Sequence, residues 1–167
     1  MSELEIRPAL PGDAGRLVEL ARAVAAEPEG WLISAGPSRG AADERRYLRA
    51  VRRSPHAAVF VAEAREGIVG RLSLARDPHP ASAHVADLGL MVAKSHRRLG
   101  IGKALLDQAA AWAGGAGVTK LELHVFPHNE AALALYERLG YRRVGRRRAH
   151  FRRSDGLVDA ILMEKEL

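Results

Sequence analysis

His84-VADLGLMVAKSHRRLGIGKAL-Leu106 is the stretch whose reading decides the fold of this 167-residue chain. Val85, Leu88, Leu90, Met91 and Val92 form a short, nearly all-apolar run, the pattern of a strand buried on both faces. Lys94 and Ser95 break it. Arg97-Arg98-Leu99-Gly100-Ile101-Gly102 follows, after which Ile101, Ala104, Leu105 and Ala109 recur at helical spacing. The stretch therefore predicts strand, turn and helix. Two glycines one residue apart at the start of a helix permit a tight bend and a close approach of a ligand to the main chain. The first amides of a helix have no partner inside it, and the positive end of the dipole lies beside them. With Arg97, Arg98 and Lys103 nearby, the simplest ligand for such a turn is a phosphate or pyrophosphate.

Two common phosphate loops do not fit. A nucleotide-binding Walker loop needs Gly five residues before its Gly-Lys pair and Ser or Thr after it, and here Arg97 and Ala104 occupy those positions. The dinucleotide fingerprint needs Gly-x-Gly-x-x-Gly or Ala, and Gly100, Gly102 and Leu105 match it only in part. The hexapeptide Arg97 to Gly102, placed after an apolar strand, instead resembles the Arg/Gln-x-x-Gly-x-Gly/Ala signature of the GNAT superfamily of acyl-CoA N-acyltransferases. NEAALALYERLGY, from Asn129 to Tyr141, resembles that family's second signature, in the right order and at the right spacing. His84-Val-Ala-Asp87 and Gly156-Leu-Val-Asp-Ala160 resemble the bacterial branch that acetylates small amines such as L-amino acids.

The length suits a single domain, residues 1–167, burying about two thirds of its unfolded surface. Hydrophobic content of 47% beside 28% charged residues is that of a soluble globular protein. No run approaches the ~20 apolar residues of a membrane span. MSELEIRPAL lacks a basic n-region and an apolar core, so a cytoplasmic protein with no membrane partner is expected. The absence of cysteine removes disulfides, thiolate metal sites and a cysteine acyl-enzyme together. The net charge of +6 is mostly arginine, seven of them between Arg142 and Arg153. Such a run is read as a solvated face, with a phosphate-rich cofactor accounting for part of it, and nucleic acid is disfavoured as a partner.

Taken in order, Leu4–Arg7 alternates as a strand, Asp13 is placed to cap a helix through about Ala26, and residues 27–40 read as a loop. A second helix is expected over Ala41–Arg53. Two strands follow around Glu66-Gly67, with Gly70 hinting at a bulge. After the central stretch come a helix to Gly114-Gly115, a strand Lys120–Phe126, a helix capped by Asn129, and two strands around Ser154-Asp155-Gly156. The order β-α-α-β-β-β-α-β-α-β-β predicts an α/β architecture with a mixed central sheet. The resemblance implies the GNAT fold, with about six or seven strands and about four helices.

The resemblance also implies the chemistry: transfer of an acetyl group from acetyl-CoA to a primary amine of a small molecule or amino acid, by direct attack in a ternary complex. The residues agree, for no Cys is present and no Ser lies in a Gly-x-Ser-x-Gly elbow. It assigns donor contacts to Leu90, Met91 and Val92 of the strand, to Arg97, Arg98, Leu99, Gly100, Ile101, Gly102 and Lys103 of the turn, and to Asn129 and Tyr136. Tyr136 is implied as the acid that protonates the departing thiolate, although periodicity alone makes it a core aromatic. Deprotonation of the amine needs a base or a water chain. Asp87 and Glu122 are ranked ahead of His124, which shares a strand face with Glu122. Trp31, alone in its loop, is a candidate acceptor contact. His124 and His128 are separated by Pro127 and are no helical metal pair, so no metal is expected. Alternatives are acetylation of a protein N-terminus and, from another class, an arginine-rich nucleic-acid-binding module. An exposed edge strand near the C-terminus admits a homodimer.

Overall fold

The computed structural model describes residues 4–33 and 39–167. Residues 34–38 of the predicted loop lie outside the described residues. The elements are β1 (Glu5–Pro8), α1 (Ala14–Ala25), α2 (Ala41–Arg53), β2 (Ala57–Ala64), β3 (Gly67–Arg76), β4 (Val85–Val92), α3 (Ile101–Gly115), β5 (Lys120–Val125), α4 (Glu130–Arg138), β6 (Arg142–Arg153) and β7 (Gly156–Glu166). They occur in the predicted order. The sheet has seven strands in the order β1-β2-β3-β4-β5-β7-β6. Every pairing is antiparallel except β4 with β5.

The main core lies between one face of the sheet and α3 with α4. Ala86 and Leu88 of β4, and Leu121, Leu123 and Val125 of β5, pack there against Ile101, Leu105, Ala109 and Leu133. A smaller core under α1 and α2 holds Leu17, Leu48, Val59 and Val61 on the opposite face. The buried Glu44 ties α2 to β3 by an ion pair with Arg71 at 2.8 Å. Beyond β3 that second face is left open, and Asp87 and Gly89 of β4 are exposed on it. The expected burial of β4 on both faces is thus corrected. Its apolar residues at 86 and 88 face the helices, while the alternate positions carry the small or polar residues an open face allows.

Local chemistry explains the ends of the elements. Asn129 caps α4 as expected, its side-chain oxygen accepting from Ala132 N–H at 3.2 Å. Asp13 does not cap α1 with its side chain. Its carboxylate turns back to accept from Leu10 N–H at 2.7 Å and from Arg7 at 2.8 and 3.0 Å. The bulge expected near Gly70 falls between the Ala62–Gly70 and Glu63–Ile68 pairs. A larger one interrupts β6, where Arg148, Ala149 and His150 stand opposite Asp159 alone. Among the described residues no helix is long and apolar enough to cross a membrane.

Candidate active site

The parallel pairing of β4 with β5 is short: Val85–Lys120, Ala86–Leu121 and Asp87–Glu122. Past that point β4 keeps only β3 as a partner and β5 keeps only β7. The strands splay, and a wedge opens whose apex is the Asp87–Glu122 pair. Leu90, Met91 and Val92 line one side of it, and their main-chain groups facing β5 have no strand to bond. Unpaired main-chain groups are costly unless something else bonds them. The wedge is thus a ready slot for an extended, amide-bearing ligand.

The turn from β4 into α3 lies at the wide end of that slot. Arg98 and Gly100 both have positive φ, at 66° and 83°. The first intrahelical bond is donated by Ala104 to the Gly100 carbonyl at 3.0 Å. Among the described residues, the amides from Arg98 to Lys103 donate to no protein acceptor. Leu99 is 67% exposed, so the turn is open to solvent. The two glycines differ in purpose. Gly100 supplies the left-handed backbone, with nothing near its missing Cβ. At Gly102 a Cβ would lie 2.9 Å from Leu135 Cδ2 and 3.6 Å from Leu90 Cδ2, so Gly102 lets α4 close against the start of α3.

The charges around the turn are largely committed to the protein. The Arg97 guanidinium, expected beside phosphates, donates to both carboxylate oxygens of Glu27 at 2.7 and 2.6 Å and, through Nε, to the Val92 carbonyl at 3.0 Å. Those bonds hold the Glu27 carboxyl below its usual range against the opposing effect of burial. Lys103 pairs with Asp107 at 2.6 Å, one helical turn on. Arg98 is left exposed at the tip. An anion held here would be held chiefly by backbone amides and the helix dipole.

On the open face, a groove of about 250 Å³ is lined by Ile33, Tyr47, Ser73, Asp87, Gly89 and His124, among others. Asp87, Glu122 and His124 project from adjacent positions of β4 and β5 on that face, as the alternation predicts. His124 Nδ1 lies 3.9 Å from Asp87 Oδ1. Crowding by protein, and next the Glu122 carboxylate beside it, push the Asp87 pKa up to about 6. The Asp87 side chain keeps 61% of its accessible surface, so the group is recessed and not enclosed. Burial, and then the nearby Arg147 and His150, lower the His124 pKa. His124 Nε2 is buried with no hydrogen-bond partner among the described residues.

Tyr136 is 6% exposed in α4, its ring meeting Tyr141 edge-on at 5.5 Å between centroids. Burial raises its pKa well above the ordinary phenol range. It belongs to the helix-side core, as its periodicity implies. It also follows Leu135, which touches Gly102, so it sits in the turn of α4 that flanks the wedge. Trp31 does not line the groove; Ile33 does. The Trp31 indole donates to Glu27 Oε2 at 2.9 Å and stacks on His128 at 5.5 Å. Beside His124 the face carries residues that no sequence motif marks. The β6 bulge carries His150 over His124 in parallel rings 6.0 Å apart, with Phe151 edge-on to His124 at 5.9 Å. Nothing in the run of arginines announces that bulge, because the partner that builds it, Asp159, lies on the next strand.

A model of the acetyltransferase (GNAT) family matches residues 22–141. The chain therefore belongs to the acetyltransferase (GNAT) family, whose acyl donor is acetyl-CoA. A crystal structure of a GNAT-family acetyltransferase from Streptococcus pneumoniae superposes with a TM-score of 0.90 at 27% identity, covering 99% of this chain and 100% of that one. The Escherichia coli K12 [ribosomal protein bS18]-alanine N-acetyltransferase is 39% identical over 74 residues, 44% of this chain and 50% of that protein. L-amino acid N-acetyltransferase AaaT, also of Escherichia coli K12, is 29% identical over 99 residues, 59% of this chain and 61% of that protein. The matches thus span about half to three fifths of the length of these curated relatives.

Proposed function

We propose that this protein transfers the acetyl group of acetyl-CoA to a primary amine of a small molecule or amino acid by direct attack in a ternary complex. The observation that carries the reading is the wedge between β4 and β5, with a turn of unbonded amides at its wide end and a carboxylate pair at its apex. The residues fit the donor. Amides 98–103 suit a diphosphate, Leu90–Val92 suit the amides of a pantetheine arm, and Asn129 and Tyr136 flank the slot. Acetyl-CoA supplies an acetyl group already activated as a thioester.

The rest falls to the chain. Main-chain N–H groups of Leu90–Val92 bond the thioester carbonyl as negative charge grows on it, an oxyanion role that can be worth ~3 kcal/mol. An alkylamine of pKa ~10 arrives protonated. Asp87, titrating near 6, is ionised at neutral pH and accepts that proton directly or through water, with Glu122 beside it. Tyr136 is protonated at neutral pH because burial disfavours phenolate; it protonates the thiolate sulfur as the carbon–sulfur bond breaks, and the proton taken up at Asp87 returns through water to the tyrosine oxygen.

Calorimetry with CoA tests the donor half: binding by the parent, lost in Gly100→Glu, is the expected result, and equal behaviour of the two would sink it. Thiol release from acetyl-CoA against amino acids, polyamines and a peptide with a free N-terminus tests the acceptor half. The second reading, acetylation of a protein N-terminus, is favoured by the open side of the groove and by the bS18-alanine relative. It would win if only the peptide released thiol.

A further inference from the structure

The bulge in β6 is built with some care, and the transfer chemistry makes no use of it. Ala149 sits at φ 48°, a left-handed conformation that a residue with a Cβ adopts only when held. Asp159 holds it: one carboxylate oxygen accepts from Ala149 N–H and the other from Arg146 Nε, each at 2.7 Å. The effect is to stack His150 on His124 in near-parallel planes and to set it edge-on to Phe151 at 4.8 Å. Arg147 Nη1 then lies 3.4 Å from His150 Nε2. Arg147 stands opposite the buried Ala160, on the same face of the sheet as His124 and Phe151.

Of the other six arginines between Arg142 and Arg153, three are paired with carboxylates: Arg142 with Glu166, Arg143 with Glu137 and Arg146 with Asp159. Arg153 donates to the Leu32 carbonyl. Arg148 and Arg152, like Arg147, have no carboxylate partner among the described residues; what sets Arg147 apart is its place beside His150 and His124. It stands on the sheet face that carries Asp87 and Glu122, beside the stacked imidazoles of His150 and His124. Two carboxylates and one guanidinium on one face match a ligand that carries an ammonium and a carboxylate together. A peptide N-terminus offers the ammonium alone, and a polyamine would meet Arg147 as a like charge.

We propose that Arg147, presented by the Asp159-held bulge, is the specificity residue that binds the carboxylate of a free α-amino acid while its amine faces Asp87 and Glu122. Guanidinium and carboxylate match in a planar, two-pronged geometry that no other side chain offers as well. His150 is a positioning residue, its ring spacing Arg147 from His124. This rests on the transfer reading above and narrows its acceptor.

The test compares a panel of L-amino acids with their carboxamides, which keep the amine and side chain and lose the carboxylate. The parent should favour the acids in kcat/KM. Arg147→Gln should lose on the order of 30-fold for the acids, mostly in KM, and change little for the amides. Arg152→Gln, on an exposed residue of the same strand, should match the parent for both. Equal use of acids and amides by the parent, or equal loss on both in Arg147→Gln, would overturn the proposal. So would a loss of affinity in Arg147→Gln for CoA but not for 3′-dephospho-CoA, which would give the guanidinium to the cofactor's phosphate. If no amine were acetylated at all, the transfer reading would fail by itself. Calorimetry of the same acids and amides on CoA-loaded protein would then decide Arg147: selective binding of acids, lost in Arg147→Gln, supports it, and no preference refutes it.

Discussion

The turn from Arg98 to Gly102 and the bulge from Arg147 to Phe151 are alike on first inspection. Each breaks regular structure, each carries arginine, and each uses a positive φ at a residue with a side chain, Arg98 in one and Ala149 in the other. They present opposite things to a ligand. At the turn Arg97 and Lys103 are paired with Glu27 and Asp107, Arg98 alone stays exposed at the tip, and the rest of what faces outward is a set of bare amides. At the bulge the backbone is bonded by Asp159, and what gathers beside His124 is side chains: a guanidinium, an imidazole and a phenyl ring. A backbone site suits a ligand common to a whole family, since it depends on chain path and little on residue identity. A side-chain site suits whatever distinguishes one member from another.

That contrast can be broken by experiment. The largest expected effect is on the chemical step, which belongs to neither region: Tyr136→Phe should lower turnover by about a hundredfold with CoA affinity nearly unchanged, read from single-turnover rates beside calorimetry. Equal rates would return Tyr136 to a packing role. Gly102→Val attacks the backbone site. A Cβ there meets Leu135, so the start of α3 must shift, and CoA affinity should fall about tenfold or more while the acid-to-amide preference of the bulge is retained. Loss of both together would mean that the two regions are not separable.

Two smaller effects sharpen the comparison. Glu27→Ala should cost about 2 kcal/mol by stranding the Arg97 guanidinium, lowering the melting temperature by roughly 5 °C. If Arg97, once freed, were to tighten CoA binding, the turn would be revealed as short of charge by design. Glu122→Gln removes a negative neighbour from Asp87, so the Asp87 pKa should fall from about 6. The acid limb of the kcat/KM profile should then move to lower pH by less than about one unit, because the larger part of the rise comes from crowding by protein. No movement would take the base role away from Asp87.

How much of this was readable beforehand follows from the same contrast. Asp87, Glu122 and His124 could be placed on one face because strands alternate, and their meeting needed only that β4 and β5 be neighbours. The element order and the turn were legible because glycine, proline and apolar period act locally. The Arg97–Glu27 ion pair is not legible in the sequence because the two residues lie far apart along it, and neither is the bond by which the same carboxylate holds the Trp31 indole. The packing of His150 and Phe151 on His124 is not legible in the sequence because a bulge is agreed between two strands and belongs to neither.

The chain by itself determined its elements, their order and a backbone turn suited to a phosphate, since those depend on residues close together in sequence. Only the tertiary structure decided which charges stay free, where β4 parts from β5 and which face is left open. Those depend on pairings between distant residues, and a guanidinium is available to a ligand only when no carboxylate has been folded against it.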